Sequence, residues 1–194
     1  MGGREQTSVD VPIPARIVTA VAARNLIAED DLWRALETIH GDMADSADAI
    51  IDRYRSTDAP EAVSVADGLA TVVFVDERTW NRSAADLPDE LRTAAKAAHA
   101  EFAREVRAEP DSEGTVALVM PSREVGALVR GGLSQRQAEV QVLRDRGLTQ
   151  REVGERLGMA TNTVKVHCHR IDAKVEDARR LLELVEGYTG RQNG

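Results

Sequence analysis

The segment from Leu133 to Ile171 constrains the fold of this chain more than any other part of the sequence. Ser134 and Thr149 each precede a run with helical apolar spacing, where a hydroxyl caps the first turn of a helix. Gly158 follows the second run, at a point where a chain leaving a helix needs a positive φ. A third helical run begins at 160–161. The pattern predicts three short helices with a glycine turn between the last two, which is a helix-turn-helix arrangement.

The third predicted helix continues beyond this segment. Its apolar residues recur at intervals of 4-3-4-3, a stripe of two heptads. Such a stripe is typical either of a dimerisation helix or of a face that packs on the rest of the chain. Two heptads are too few to decide between these two interpretations. We favour the dimerisation helix, with contacts from Ile171, Val175, Ala178, Leu182 and Val185.

Charge is spread unevenly along the chain. The formal net charge is −8, which by itself argues against a nucleic-acid partner. Residues 133–180, however, hold ten basic and seven acidic side chains, a net charge of +3, so the remainder carries −11. A basic segment attached to an acidic body indicates that DNA binding, if present, belongs to this segment.

Lysine is scarce in this acidic composition. Only three lysines stand beside 22 arginines. An acid-rich, lysine-poor surface is typical of proteins that work in concentrated salt, where screening is strong. A GC-rich genome at ordinary salt would also favour arginine over lysine. We favour the halophilic interpretation, and the second one stays open.

Polar side chains stand at the start of the third predicted helix, which can enter a major groove about 12 Å wide. Asparagine pairs with adenine, and lysine reaches guanine or a phosphate. The free N–H groups at the start of the second helix suit a phosphate. We expect base contacts from Thr161, Asn162, Lys165, Val166 and His169. We expect phosphate contacts from Thr149, Gln150, Arg151, Thr163, Arg170 and Lys174.

The same segment resembles the helix-turn-helix group of LuxR-type regulators and sigma-factor region four. The matching positions are Leu133, Ser134, Arg136, Glu139, Val140, Gly147, Thr149, Glu152, Leu157, Thr163, Val164, Lys165 and His167. The Arg136–Gln137 pair, the run 149–152 and the long helix after Ile171 are closer still to archaeal Tfx-type regulators. The resemblance covers about 50 residues and implies DNA binding.

Three positions depart from the pattern of that group. Gln137 replaces an acidic residue, Gly154 replaces an alanine, and Ala160 replaces the serine or threonine that caps the third helix. Loss of that cap costs about 1 kcal/mol unless Thr161 takes its place.

The first part of the chain alternates between helical and strand periodicity. Helices are predicted at Ala15–Ile27, Glu29–Arg55 and Leu87–Arg107, and strands near 62–66, 69–76 and 115–120. Asp67-Gly68 between the first two strands is a hairpin-turn dipeptide. These elements indicate an α+β domain of helices with a small sheet.

The predicted organisation has five parts. Residues 1–13 form a flexible arm, 14–128 the α+β sensor or interaction domain, and 129–132 a linker. Residues 133–187 form an all-α helix-turn-helix domain with a long C-terminal helix, and 188–194 a tail.

Several classes of protein are excluded at this stage. No apolar run reaches the ~20 residues of a membrane span, and the N-terminus lacks the apolar core of a secretion signal, so we expect a cytoplasmic protein. His167, Cys168 and His169 are helix neighbours about 100° apart and do not converge on one metal ion. The sequence holds no phosphate loop, nucleophile elbow or catalytic carboxylate pair. We therefore expect no enzyme, metal or cofactor.

These observations favour a sequence-specific transcription regulator that binds double-stranded DNA as a homodimer. Its N-terminal domain would sense a signal or bind a partner, and Trp33 and Trp80 line either a small-molecule effector pocket or an ordinary core. The alternative is a transcription-associated adaptor whose helical domain binds a protein such as RNA polymerase instead of DNA.

Overall fold

The structure is a computed structural model that describes residues 11–43, 49–50, 62–64, 68–110 and 113–189. Over these ranges the chain forms eight helices and a small antiparallel sheet. The predicted combination of helices with a small sheet is confirmed. The chain divides into two compact units between Arg123 and Glu124. None of the described helices is both long enough and apolar enough to cross a membrane.

The first unit contains four helices and three strands in its described part. In chain order these are α1 (Ala15–Asn25), α2 (Glu29–Met43), β1 (Ala62–Ser64), β2 (Ala70–Asp76), α3 (Glu77–Ser83), α4 (Asp89–Glu105) and β3 (Thr115–Pro121).

The three strands lie in the order β1-β2-β3, and both pairings are antiparallel. Val72 of the central strand pairs with Val63 on one side and with Val119 on the other. All residues of β2 except Asp76 are buried, so both faces of this strand are covered. Helix α4 packs on β3, and α1 and α2 pack on α4. The core of the first unit therefore lies around the β2–β3 ladder.

Helices α1 and α4 confirm the predicted segments, and α2 confirms the first part of its own. The remainder of that segment, towards Arg55, falls largely outside the described residues. The flexible arm was expected to extend to residue 13, but Ile13 is buried in the core of the first unit. Residues 1–10 lie outside the described part of the chain. The apolar side chain of Ile13 is more stable against α1 than in water.

Helix α3 was not predicted. Asp76, the last residue of β2, caps it by accepting a hydrogen bond from the amide of Thr79 (2.9 Å), and Trp80 is buried. Seven residues make two turns, which is too few for a helical apolar period to show in the sequence.

The second unit is all helical over its described residues. Helix α5 (Arg123–Arg130) begins at the division between the units and is followed by α6 (Gln135–Asp145), α7 (Gln150–Leu157) and α8 (Thr161–Thr189). The linker expected at 129–132 is instead the end of α5 and a turn. The amide of Leu133 donates to the carbonyl of Leu128 (3.1 Å), and Arg146 at the end of α6 forms an ion pair with Glu124 (3.2 Å), so this segment is tied to the second unit.

Two histidines are buried in the core of the first unit. The rings of His40 and His99 stack at 5.5 Å between centroids, and the edge of Trp80 packs on His99. The amide of Val119 donates to Nδ1 of His99 (2.9 Å), which places the proton of the neutral ring on Nε2. Nε2 of each histidine has no hydrogen-bond partner in the described part of the chain. Burial lowers the pKa of His40 to about 4, and burial and the proximity of His40 lower the pKa of His99.

This pair makes the first unit sensitive to acid. Between pH 6.5 and about 4 the unfolded chain binds a proton at His40 that the folded chain does not, so the free energy of unfolding falls as the pH is lowered. Between pH 7 and pH 4.5 the free energy of unfolding should fall by about 2 to 3 kcal/mol less in His40→Leu than in the original chain, because leucine does not titrate.

Both tryptophans, Trp33 and Trp80, lie in the first unit, so denaturation followed by tryptophan fluorescence reports on this unit alone. His169→Leu, which removes an exposed histidine of the second unit, is the control and should leave the pH dependence unchanged. Equal acid sensitivity of His40→Leu and the original chain would contradict the prediction.

Candidate nucleic-acid interface

Helices α6 and α7 hold the first half of α8 by apolar contacts. Both pack on α8, and they also contact each other. The side chains buried between the three helices are Ala138, Val140, Val142, Leu143, Val153, Val164, Cys168 and Ile171. These residues recur at helical spacing in the sequence, whereas Val166, which is expected to contact bases, is exposed.

Capping boxes begin both supporting helices. Oγ of Ser134 accepts from the amide of Gln137 (3.3 Å), and Oε1 of Gln137 accepts from the amide of Ser134 (3.1 Å). Thr149 and Glu152 repeat the arrangement at α7. Gln137, where the pattern of the helix-turn-helix group that this segment resembles has an acid, therefore still completes its box. Both predicted caps are confirmed, and they set where α6 and α7 begin.

The turn between α7 and α8 brings two backbone segments unusually close. Gly158 ends α7 at φ +66°, in the left-handed region that favours glycine. The amide of Met159 donates to the carbonyl of Gly154 (2.9 Å). A Cβ on Gly154 would lie 2.7 Å from the carbonyl oxygen of Met159, a contact closer than van der Waals packing allows. Glycine in place of alanine at this position is therefore explained by the approach of the turn.

Helix α8 begins at Thr161, one residue after Ala160. The carbonyl of Ala160 accepts from the amides of Thr163 (2.9 Å) and Val164 (3.2 Å), so Ala160 itself occupies the N-cap position. Thr161 is the first helical residue and does not take over as the cap.

The solvent side of α8 presents an outer face made of Asn162, Lys165, Val166 and His169. These four positions follow i, i+3, i+4, i+7 spacing, so they share one side of the helix. All four side chains are exposed, and within the described ranges they make no hydrogen bond or ion pair. Thr161, Thr163 and Arg170 flank this face and are also exposed. The structure therefore brings the predicted base-contacting residues together on one surface.

Two predicted phosphate-contacting residues are already engaged within the unit. Nζ of Lys174 donates to the carbonyl of Gly132 (2.6 Å) and to Oε1 of Gln137 (2.9 Å), which ties α8 to the start of α6. The hydroxyl of Thr149 donates to Glu152 (2.6 Å), whose carboxylate also accepts from the Thr149 amide (2.8 Å). These hydrogen bonds hold the pKa of Glu152 below its usual value. The Glu152 carboxylate occupies the start of α7. Lys174 and Thr149 therefore make hydrogen bonds within the unit, and their phosphate contacts stay a prediction.

The other predicted phosphate contacts remain at the surface. Gln150 and Arg151 are exposed at the first turn of α7, where Arg151 forms an ion pair with Glu155 (2.8 Å). Such an exposed pair is weak and can exchange for a phosphate at little cost.

One histidine and two arginines lie close to one another beside the outer face, and the sequence analysis did not predict that these three residues meet. His167 is partly buried, and its Nδ1 has no hydrogen-bond partner in the described part of the chain. It feels the positive charges of Arg170 on α8 and of Arg136 on α6, and Arg136 is itself paired with Glu139 (2.7 Å). Burial and these two positive charges lower the pKa of His167. Arg170 follows His167 by three residues on one helix, so the sequence contained half of this cluster, but only the packing of α6 adds Arg136.

The predicted dimerisation residues divide into two sets. Ile171 is buried within the second unit and is not available to a partner, which corrects the expectation for this residue. Val175, Ala178, Leu182 and Val185, here called the exposed stripe, are exposed on the second half of α8. Leu181 and Leu184 beside them are also exposed.

A crevice of about 290 Å³ lies between α6, α7 and α8. Its rim carries an ion pair between Arg144 and Asp172 (2.9 Å), and buried Cys168 contributes to its lining. This ion pair raises the pKa of Arg144. Trp80, considered for an effector pocket, is a core residue, and Trp33 donates from Nε1 to Glu29 (3.3 Å).

A family described as a domain of unknown function, DUF8048, matches residues 11–131, which is more than half of the chain. The chain belongs to the DUF8048 family. The DUF8048 match covers the first unit and α5, and it ends before Leu133, where the resemblance to DNA-binding regulators begins. No curated protein and no solved structure gives a significant match to the chain.

The contact at Gly154 predicts the effect of restoring the alanine. Alanine improves the helix propensity by up to about 1 kcal/mol, but its methyl group must push a backbone carbonyl away. We expect Gly154→Ala to destabilise the α7–α8 turn by about 1 to 2 kcal/mol. Faster hydrogen exchange of amides in 150–170 measures this loss.

Gly126→Ala is the matched control in α5, because its Cβ would meet only the end of the flexible Arg130 side chain, at 3.4 Å. That variant should be neutral or more stable. The explanation fails if Gly154→Ala exchanges as slowly as the original chain.

Proposed function

We propose that this chain is a sequence-specific DNA-binding transcription regulator. The observation that carries the proposal is the outer face of α8, whose exposed polar and cationic side chains have no partner in the described residues and are held on a rigid three-helix support. In this proposal α7, the glycine turn and α8 form a helix-turn-helix, and α8 is its recognition helix.

The outer face offers chemically distinct groups to the edges of base pairs. Asn162 donates to and accepts from adenine, and Lys165 donates to the acceptors of guanine. Val166, 49% exposed although apolar, is suited to the methyl group of thymine. His169 and Thr161 complete the set at the two ends of this surface. Four different chemistries on one helical face support readout of sequence rather than of charge alone.

Phosphate contacts would flank the outer face on two sides. On one side stand Thr163, Arg170, His167 and Arg136, and the negative charge of a phosphate there would favour protonation of His167. On the other side stand Gln150 and Arg151 at the start of α7. Lys174 and Thr149, whose side chains are exposed and make internal hydrogen bonds, would extend this phosphate-contacting surface.

The first unit would carry the sensory or partner-binding role, since most of the negative charge of the chain lies outside 133–180. Two copies of the regulator would read a two-fold DNA site. We place the activity in the cytoplasm with the DNA.

Selection from a randomised DNA duplex pool, followed by sequencing at several salt concentrations, tests this function. We expect the original chain to enrich a motif. Asn162→Ala should reduce discrimination at one position of that motif by about 5- to 150-fold, the loss expected for one bidentate contact. Lys165→Ala should lose the preference at a neighbouring position.

Lys96→Ala in the first unit removes the same charge as Lys165→Ala and should select the original motif. If the folded original chain enriches no sequence at any salt concentration, the DNA-binding function is wrong. The transcription-associated adaptor, with RNA polymerase or another protein as its partner, would then be the better interpretation.

Arg170 is expected to act on affinity and not on sequence preference. A phosphate contact releases about one counterion, so Arg170→Ala should lower the slope of log K against log salt by about 1 and weaken all duplexes alike. Arg78→Ala, an exposed arginine of the first unit, is the matched control and should leave the slope unchanged. A changed motif with an unchanged slope would assign Arg170 to base contact instead.

A further inference from the structure

The crevice between α6, α7 and α8 combines an apolar floor with a polar rim. Val140, Val153 and Val164 contribute to the floor, one from each helix, and Cys168 also lines it. All four residues are buried. An apolar floor with a small number of polar groups around it is typical of a site for a small molecule.

The rim carries one cation and one anion. Among the described residues that line the crevice, Arg144 of α6 and Asp172 of α8 are the only charged ones. They form an ion pair (2.9 Å) in which 44% of the Arg144 side chain and 60% of the Asp172 side chain are exposed. An exposed pair of this kind is weak, so each partner can exchange for a charged group of a ligand at little cost.

The start of α7 adds a donor to the crevice. Gln150 is the first residue of α7 and lines the crevice. A backbone amide at this position has no acceptor within its own helix, and it lies at the positive end of the helix dipole. Together with the guanidinium group of Arg144, this amide favours a carboxylate as one polar group of the ligand.

The mixed charge of the rim discriminates between ligands. A ligand with only a carboxylate would pair with Arg144 and leave Asp172 unpaired beside a second negative charge, and a ligand with only an amine would leave Arg144 unpaired in the same way. Like charges placed side by side oppose binding. A zwitterion avoids both costs, because its carboxylate accepts from Arg144 while its ammonium group donates to Asp172. In an α-amino acid one carbon atom carries both groups, so both lie within reach of one ion pair.

The volume of the crevice sets the size of this amino acid. A volume of about 290 Å³ corresponds to about ten water molecules at ~30 Å³ each, which suits a ligand of about ten non-hydrogen atoms. Leucine has this size, and its branched side chain matches a floor of valines. We infer that the crevice binds an α-amino acid with an apolar side chain, with its carboxylate on Arg144, its ammonium group on Asp172 and its side chain on the valine floor.

The inferred ligand would connect α6 to α8. Both helices belong to the three-helix support of the outer face, so an occupied crevice would stabilise the arrangement that presents this face. Stronger DNA binding in the presence of the amino acid is the expected consequence, and this part of the inference rests on the proposed function. Binding of the amino acid itself does not, and it is measured without DNA.

Nuclear magnetic resonance of the full-length chain, titrated with L-leucine, tests the site. We expect saturable shifts of the backbone amides around Val140, Val153 and Val164, with a dissociation constant on the order of 1 mM. Three further probes each lack one feature of the ligand: isocaproate lacks the ammonium group, isoamylamine lacks the carboxylate, and L-serine lacks the apolar side chain. Each is expected to bind at least about tenfold more weakly than L-leucine.

Two variants separate recognition of the ligand from a structural role of the ion pair. Arg144→Gln and Asp172→Asn should each weaken L-leucine binding at least about tenfold. Asp172→Asn should nevertheless bind isocaproate at least as tightly as the original chain does, because the repelling carboxylate is gone. Arg180→Gln removes an arginine of α8 that pairs with Glu176 (3.9 Å) and does not line the crevice, so this control should bind L-leucine like the original chain.

Three results would overturn the inference. The first is the absence of a saturable shift of these amides up to about 20 mM L-leucine. The second is isocaproate binding as tight as L-leucine binding, which would show a site for simple anions. The third is weaker binding of every probe to Asp172→Asn, which would show that the ion pair only holds the helices together.

The same measurements keep this inference separate from the proposed function. If L-leucine binds as expected while the chain enriches no DNA sequence, the proposed function fails and the amino-acid site stands. If a DNA motif is enriched and L-leucine does not bind, only the amino-acid site is wrong.

Discussion

The apolar stripe of α8 runs along one helix and meets two environments. Over Val164 to Ile171 it is the core of the second unit, where α6 and α7 remove it from water. This burial supplies the main stabilisation of a unit of short helices, which are marginal in isolation. Because the inner side of α8 is fixed in this way, its opposite side is presented rigidly to solvent. The outer face and the exposed stripe both depend on this one packing arrangement.

Close backbone approach makes the packing possible. Gly154 lets the carbonyl of Met159 reach the surface of α7, and Gly158 reverses the chain without strain. The two supporting helices are each closed by a reciprocal capping box, so their first turns lose few hydrogen bonds to fraying. In these capping boxes the amide and the hydroxyl of Thr149 already donate to Glu152. A phosphate at the start of α7 would have to compete with this carboxylate for the same donors. The hydrogen bonds that stabilise the first turn of α7 therefore also affect which groups can contact a phosphate.

The two units differ in what their buried polar groups do. In the first unit, His40 and His99 are kept neutral inside an apolar core, so protonation opposes folding. In the second unit, the partly buried His167 lies among cations at the surface, so protonation is favoured by an anion. The DUF8048 match covers the first of these environments and not the second. Protonation of the histidines therefore destabilises the fold of the first unit, whereas in the second unit protonation of His167 would accompany binding of an anion.

Local patterns in the sequence determined where most elements begin and end, because caps and glycine turns act over three or four residues: Ser134, Thr149 and Gly158 were each predicted correctly. The side of α8 that carries Asn162 and Lys165 followed from helical period alone. Contacts between helices that are distant in sequence followed only from the tertiary structure, because helical periodicity carries no information about them. Lys174 donates a hydrogen bond to Gln137, Ile171 is part of the core, and Arg136 lies near His167. Each of these contacts depends on helix α6, more than twenty residues away in sequence. Helix α3 was also not predicted, since it buries only Trp80 and one buried residue makes no apolar pattern that could be recognised in the sequence.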